Sequence, residues 1–229
     1  MKKLVLLVVL AMIPAALWAQ GDRANTVERV QAAGTVIDEI MNAPDSRIPD
    51  EIFDSAKCIA VVPSMLKGAF VFGAQYGKGV ASCRTEKGWS APAFFRVTGG
   101  SFGFQIGGQA VDLIMVVMND EGMQNLLASK FKIGADASAA AGPVGRQAAG
   151  STDWKMRAQI LTYSRARGIF AGISLDGAVV MQGKDDTRAF YGRMVPFKTL
   201  LTGELTAPED AKPFISSLDK HILAASVKK

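Results

Sequence analysis

Apolar residues recur at helical spacing near both ends of the chain. Residues 23–42 carry an apolar stripe at every third or fourth position, which predicts an amphipathic helix. This stripe either packs on the core of the domain or lies on a membrane surface, and its polar face holds at least as many acids as bases, which favours the core. A short helix is expected over residues 49–56, and Phe214, Leu218 and Ile222 predict a C-terminal helix.

The middle of the chain has the pattern of β-strands separated by glycine-rich turns. Gly77-Lys78-Gly79 and Glu86-Lys87-Gly88 are typical of hairpin turns. Residues 110–118 are almost uninterruptedly apolar, which predicts a strand buried on both faces, and Asn119 is expected to cap a helix that ends near residue 129. The predicted strands cover residues 57–62, 69–76, 80–85, 92–98, 101–106, 110–118, 159–165, 169–175 and 178–181, and a further helix is expected near residues 185–191.

These elements predict an α+β fold. Glycines inside the strands indicate sharp curvature or a close approach of backbone to backbone. We therefore expect a β-rich, strongly curved antiparallel sheet or a partly closed barrel, with helices at the N- and C-termini. Residues 20–229 are long enough to form a single domain with a sizeable core.

The first nineteen residues have the pattern of a secretory signal peptide. Lys2 and Lys3 precede an apolar run over residues 4–13, and Ala19 is a suitable cleavage residue. We expect cleavage near Ala19 and export to a bacterial periplasm. Removing the two lysines lowers the formal net charge from +5 to +3, and without a dense basic run the sequence does not favour a nucleic acid as partner.

The two cysteines, Cys58 and Cys83, are candidates for a disulfide, because an exported protein meets an oxidising compartment. In a simple meander of strands 57–62, 69–76 and 80–85, the cysteines would flank the middle strand at about 9–10 Å, beyond the reach of a bridge. A disulfide therefore requires the first and third of these strands to be neighbours, and the sequence leaves that open. A metal site is not expected, since two thiols and one distant His221 do not supply four ligands.

Candidate catalytic groups are few, and the sequence predicts neither an enzyme nor a cofactor. The single histidine, His221, is expected at the surface or boundary of the C-terminal helix. No zinc-protease motif occurs. Asp112 falls in an apolar strand, where a carboxylate needs a partner, so we expect it to pair with an arginine or a backbone amide.

Binding is favoured instead by cations next to apolar and glycine-rich segments. Residues 134–146 consist mostly of Gly and Ala and end in Arg146, which suits either close backbone packing or the presentation of backbone donors to a ligand. For each cation the alternative is a solvated turn residue, and for the aromatic residues it is ordinary core. The candidate headgroup ligands are Arg146, Lys78, Lys67, Lys132, Arg165 and Arg167, and the candidate apolar lining is Phe70, Phe72, Phe102 and Phe104.

Several segments between Ala56 and Gly192, in their order and spacing, closely resemble the SYLF domain family. They include Lys67-Gly68-Ala69-Phe70-Val71-Phe72-Gly73, Gly99-Gly100-Ser101-Phe102-Gly103-Phe104-Gln105-Ile106-Gly107, Tyr163-Ser164-Arg165-Ala166-Arg167-Gly168 and Phe170-Ala171-Gly172-Ile173-Ser174-Leu175-Asp176-Gly177. The resemblance implies a lipid-binding module without known catalysis. For eukaryotic members it implies phosphoinositide binding and, in fungi, actin binding; bacterial members are secreted proteins of poorly defined role.

Residues and resemblance together predict a non-enzymatic lipid- or amphiphile-binding module of the bacterial cell envelope. It would bind anionic headgroups through basic turns beside an apolar, glycine-rich surface, so its expected partner is a lipid or a membrane surface. The alternative is a protein–protein interaction module of the periplasm with an envelope protein as partner. Actin binding is not carried over to an exported bacterial protein.

Overall fold

The structure is a computed structural model that describes residues 2–69, 72–102, 107–145, 158–166 and 168–226. Its helices are α1 (Lys2–Met41), α2 (Asp50–Ser55), α3 (Asp120–Leu127), α4 (Lys184–Tyr191), α5 (Phe197–Leu201) and α6 (Lys212–Ser226). Its strands are β1 (Cys58–Ala69), β2 (Phe72–Thr85), β3 (Gly88–Trp89), β4 (Ala93–Phe102), β5 (Gly107–Val117), β6 (Lys130–Lys132), β7 (Ala139–Ala141), β8 (Ile160–Ala166), β9 (Ile169–Gly172) and β10 (Val179–Gln182).

One strongly curved sheet forms the centre of the fold. Its strands follow the order β6-β10-β4-β2-β1-β5-β8-β7, while β3 pairs with β2 and β9 with β8. Neighbouring strands are antiparallel except β7 and β8, which run parallel. Helices precede and follow the sheet in the chain. The expected α+β fold with a strongly curved, mainly antiparallel sheet is confirmed.

The predicted turn at Gly77-Lys78-Gly79 is wrong, because these residues lie inside the 14-residue strand β2. The glycines are explained by packing. A Cβ at Gly77 would lie 2.4 Å from Val62 Cγ1, and a Cβ at Gly79 would lie 2.4 Å from the Val61 carbonyl oxygen. The two strands expected at residues 69–76 and 80–85 are therefore one long strand whose glycines admit side chains of β1.

The sheet is covered on both faces, and the alternation along its strands divides the core in two. On the face that we call the α5 face, Ala60, Ala81 and Phe95 pack with Phe197 and Leu200 of α5. On the opposite face, which we call the α1 face, the sheet packs against α1, α2 and α6 through a second set of residues. That set includes Ile59, Val61, Val80, Phe94, Ile114, Val30, Ile37, Phe53 and Phe214.

Helix α1 packs on the core with the apolar stripe that the sequence indicated. Val30, Ala33, Ile37 and Ile40 are buried. Helix α1 is also attached to α6, because Asp38 accepts a hydrogen bond from Ser217 Oγ at 3.0 Å and lies 2.8 Å from His221 Nε2. Within the described residues, no helix has both the length and the hydropathy that crossing a membrane requires.

The expected surface or boundary position of His221 is wrong. Its side chain is only 8% exposed, because it lies under Asp38 of α1 and meets the ring of Phe53 edge to face at 6.4 Å between centroids. Burial alone would raise the pKa of Asp38. Hydrogen bonds from His221, Ser217 and Lys220 lower the pKa by more than burial raises it, so the pKa is below its ordinary value. His221 is therefore part of the contact between the terminal helices.

Cys58 and Cys83 form a disulfide between β1 and β2. The two residues are directly opposite in the antiparallel ladder, with Cα atoms 3.9 Å apart, and both are fully buried on the α5 face. The simple meander considered for the sequence does not occur, because no strand separates β1 from the second half of β2. The bridge links positions 25 residues apart.

We predict that reducing this disulfide lowers the free energy of unfolding by about 3.5 kcal/mol, because the cross-link removes conformations of the unfolded chain. Denaturant unfolding of the mature protein with and without reductant measures the loss. The double variant Cys58→Ala/Cys83→Ala is the control and should unfold identically under both conditions. A loss below about 1 kcal/mol would contradict the prediction.

Candidate functional site

The four central strands extend beyond the core and form a segment rich in small residues. We call residues 66–69, 72–76, 98–102 and 107–110 the distal sheet; it follows the last buried pair, Met65 and Val111. Glycine or alanine fills half of its positions, in register across β4, β2, β1 and β5. Such a surface lets a ligand approach the backbone closely.

Two of the four phenylalanines predicted as an apolar lining, Phe72 and Phe102, belong to the strands at this end of the sheet. Phe72 and Phe102 are opposite each other in the ladder between β2 and β4, although only their backbone is described. Phe70 and Phe104 lie outside the described residues. Their role as lining stays a prediction.

Lys67 lies on the α5 face of the distal sheet between two glutamines. Gln75 of β2 and Gln109 of β5 are its direct neighbours across the strands, so all three side chains share one face. Lys67 is half-buried, and this burial lowers the pKa of its ammonium group. In the described part of the chain, no carboxylate forms an ion pair with Lys67.

The row beyond Gln75 continues with Gly99, over which the side chain of Gln75 lies. A Cβ at Gly99 would lie 2.8 Å from Gln75 Nε2, so the glutamine amide rests where a side chain would otherwise stand. An ammonium group and two side-chain amides can together donate hydrogen bonds to one oxyanion. The row therefore has the chemistry of a small anion site.

The other predicted cations do not gather around Lys67. Lys78 Nζ is 3.1 Å from Asp186 Oδ1, and Lys132 is exposed on strand β6, three strands beyond β2. Arg165 is bound by two carboxylates on the α1 side. Arg146 and Arg167 lie outside the described residues.

Asp112 is the structural carboxylate that the sequence predicted. Its Oδ2 accepts a hydrogen bond from Arg165 Nε at 2.7 Å, and its Oδ1 accepts one from the Ser64 backbone amide at 2.9 Å. Glu39 of α1 also pairs with Arg165. Ser64 has a φ of 52°, and it lies in a β-bulge that adds one residue to β1 relative to β2 and β5. Asp112 thus holds the bulge.

The glycine- and alanine-rich run serves close packing over its described part, residues 134–145. A Cβ at Gly142 would lie 2.0 Å from Tyr163 Cζ, and one at Gly145 would lie 2.3 Å from the Asp45 carbonyl oxygen. The amides of Gly134, Gly142 and Gly145 donate to backbone carbonyls of the protein itself. These donors are therefore engaged internally, as the packing interpretation of the sequence requires.

The strand register also brings together cations that are far apart in the sequence. On the α1 face, Lys130, Met181, Arg96 and Lys78 stand side by side across β6, β10, β4 and β2, and we call them the cationic row. The neighbouring row, which we call the apolar row, contains Lys132, Val179, Thr98, Tyr76, Leu66 and Ala110. Sequence analysis did not select Arg96, because its place in one row with Lys130 depends on pairings between distant strands.

A cleft of about 790 Å³ at the opposite end of the sheet is a weaker candidate. Its cation Arg84 donates to the carbonyl oxygens of Phe53 and Ala56 and stacks on Trp89, and Lys57 pairs with Asp120. Among the described residues, no three His, Cys, Asp or Glu side chains form a group that could hold a metal ion. Two of the cations that line the cleft, Lys57 and Arg84, are thus already engaged within the protein.

We predict that Lys67→Met stabilises the folded protein by roughly 0.5 kcal/mol at neutral pH, because it removes a partly desolvated charge. The folded-state pKa of Lys67 is lowered, so the charge penalty is fully present below that pKa. It fades as pH rises toward 10.5, the ordinary value for lysine. Denaturant unfolding at neutral and alkaline pH measures both effects, and a destabilised variant would contradict them.

Arg165→Met should instead destabilise the protein by about 2 kcal/mol, since Asp112 is left largely buried without its cation. The double variant Arg165→Met/Asp112→Asn removes that carboxylate and should recover part of the loss. Chemical unfolding of the three proteins gives the coupling free energy. If Arg165→Met were neutral, Arg165 would not be a structural cation.

The comparisons with known proteins identify the family to which this fold belongs. Residues 98–221 match the Ysc84 family, described as Las17-binding protein actin regulator. The chain is 32% identical over 180 residues to SH3 domain-containing YSC84-like protein 1 of Bos taurus, which covers 78% of this chain and 52% of that protein. It is 30% identical over 183 residues to Protein YSC84 of Saccharomyces cerevisiae, which covers 77% of this chain and 38% of that protein.

The chain thus spans about half, or less, of the length of these relatives. The resemblance drawn from its glycine-rich segments is confirmed, because the family match extends over more than half of the sequence. This protein belongs to the Ysc84 family, the family of SYLF domains.

Proposed function

We propose that this protein is a non-enzymatic lipid- or amphiphile-binding module of the bacterial cell envelope, and that Lys67 takes the anionic headgroup. The observation that carries the proposal is the environment of Lys67. Its ammonium group is half-buried, has no acidic partner in the described structure, and stands between two glutamines at a glycine-rich end of the sheet.

A half-buried ammonium group without a counter-ion costs free energy, and a bound anion offsets that cost. Lysine acts on a phosphate or carboxylate as a point charge, and the side-chain amides of Gln75 and Gln109 can add directed hydrogen bonds. Met65, Val97 and Val111 belong to the next row on the same face, toward the core, and all three are buried. Because that row belongs to the packed core, we expect the acyl chain of an amphiphile to run outward, along the small residues of the distal sheet.

The cellular location of the protein is part of the proposal. The N-terminal pattern up to Ala19 is that of a signal peptide. The buried Cys58–Cys83 disulfide supports the same assignment, because disulfides persist in oxidising compartments such as the periplasm. We therefore place the mature protein in the bacterial periplasm.

A second candidate function is a protein–protein interaction module of the periplasm. It is favoured by the exposure of two large apolar side chains on the distal sheet, since Leu66 is 61% and Tyr76 is 45% exposed. Exposed apolar residues close together mark interaction surfaces. Chemical cross-linking in intact cells would identify an envelope protein that contacts these residues.

We predict that the mature protein binds dihexanoyl phosphatidylglycerol, used below its micelle concentration, and that Lys67→Met weakens this binding at least tenfold. The factor follows from the loss of a hydrogen bond to a charged group. Isothermal titration calorimetry measures it. Lys87→Met, which removes an exposed lysine from the turn between β2 and β3, should bind like the wild type.

Two further ligands separate the possible sources of the anion. Inorganic phosphate tests the headgroup chemistry alone, and dihexanoyl phosphatidylcholine tests the chains with a neutral headgroup. The proposal requires binding of the anionic lipid to exceed that of the neutral lipid. Equal affinities of wild type and Lys67→Met for the anionic lipid would refute the assigned site.

A further inference from the structure

The α1 face of the sheet carries an exposed array of cations. Lys130 of β6, Arg96 of β4 and Lys78 of β2 belong to one row across the strands, so the row spans roughly 14 Å at the usual spacing of strands. Lys130 and Arg96 are exposed, and Arg96 makes a side-chain contact with Met181 Sδ at 3.9 Å. Lys132, one row further along β6, is also exposed.

The acidic groups that face this array are few and already paired. Asp186 of α4 lies 3.1 Å from Lys78 Nζ and 3.2 Å from the guanidinium of Arg29 on α1, so one carboxylate serves two cations. Further along the same face, Asp112 and Glu39 both pair with Arg165. Asp136 lies beside Lys132, where its Oδ2 accepts a hydrogen bond from the Lys132 backbone amide at 2.7 Å. Among the described residues, no carboxylate forms an ion pair with the side chains of Lys130, Lys132 or Arg96, and the array keeps a positive potential.

Apolar side chains accompany the cations on the same face. Leu66 and Tyr76 are direct neighbours across β1 and β2, in the row next to Lys78 and Arg96, and both are exposed. The helices do not cover this region: Val80 and Phe94 are fully buried beneath them, whereas the Lys78 side chain is 40% exposed. The exposed part of the α1 face therefore presents cations and apolar side chains next to each other.

We infer that this face is the surface on which the protein lies against an anionic lipid bilayer. In this arrangement Lys130, Arg96 and Lys132 contact lipid phosphates, while Leu66 and Tyr76 enter the interface between headgroups and acyl chains. Charge complementarity selects the anionic membrane, and the exposed apolar pair next to the cations favours lipid over a purely acidic protein surface. The inference deepens the proposed lipid-binding function, and it concerns the opposite face of the sheet from Lys67.

Vesicle sedimentation tests this inference with the mature protein and vesicles of phosphatidylglycerol mixed with phosphatidylcholine. The double variant Arg96→Gln/Lys130→Gln should bind about 25-fold more weakly, because each cation near an anionic bilayer contributes about a fivefold factor. Binding of the wild type should fall steeply at roughly 1 M salt, where the screening length is about 3 Å. Leu66→Gln should also weaken binding, by about tenfold, but leave the dependence on salt unchanged.

The matched control is Lys87→Gln/Lys198→Gln, which removes two exposed cations away from the α1 face, one at the β2–β3 turn and one on α5. It should bind vesicles like the wild type. Thermal unfolding of every variant checks that the exposed substitutions leave the fold intact. If Arg96→Gln/Lys130→Gln binds as the wild type does, or if the wild type binds pure phosphatidylcholine vesicles equally well, the inference is overturned. Retention on immobilised polyglutamate without vesicle binding would also overturn it, in favour of an acidic protein partner.

The two sites can fail independently. Arg96→Gln/Lys130→Gln should keep the affinity for dihexanoyl phosphatidylglycerol, since this soluble lipid tests Lys67 alone. If the wild type does not bind the soluble lipid but its binding to vesicles requires Arg96 and Lys130, the Lys67 site is refuted and the membrane surface stands. The reverse result refutes the membrane surface and retains the Lys67 site.

Discussion

The extra residue in β1 is the constraint on which both candidate surfaces depend. Before the bulge, Cys58, Ala60 and Val62 point to the α5 face; after it, Met65 and Lys67 do so. Without the bulge, simple alternation would place Lys67 on the α1 face and Leu66 on the α5 face. The hydrogen bond from the Ser64 amide to Asp112, and the pairing of Asp112 with Arg165, fix this local geometry. This small polar network thus determines that Lys67 lies on the α5 face and Leu66 on the α1 face.

The two faces of the sheet consequently have different chemistry. The α5 face beyond the core offers a single half-buried ammonium group with amide neighbours, which suits one headgroup. The α1 face offers separate exposed cations and the Leu66–Tyr76 pair, which suits an extended surface. A protein with both can lie on a membrane through one face and engage an individual anionic molecule through the other.

The parts of the fold that depend on local sequence could be predicted. Three features follow from single segments: the apolar run that became β5, the cap at Asn119 and the need of Asp112 for a partner. The structure has each of them. At the cap, Asn119 Oδ1 accepts a hydrogen bond from the Gly122 amide at 2.9 Å. The turn at Gly77-Lys78-Gly79 failed because a glycine can mark either a turn or a close contact between strands. Only the neighbouring strand, with Val61 and Val62 against the two glycines, distinguishes these cases. The cationic row was missed for a related reason. Arg96 and Lys130 are brought into one row only because β10 pairs with both β4 and β6.

The Cys58–Cys83 pair has a consequence for how an exported chain would mature. The chain contains only two cysteines, and they are separated by 25 residues within one strand pair. Oxidation inside a single chain can therefore produce just one bond, and no shuffling between alternative partners is needed. A chain that is exported N-terminus first presents both thiols on the far side of the membrane before the segments that form strands β4 to β10 have crossed that membrane. A simple thiol oxidase would suffice for its assembly, and an isomerase would have nothing to correct.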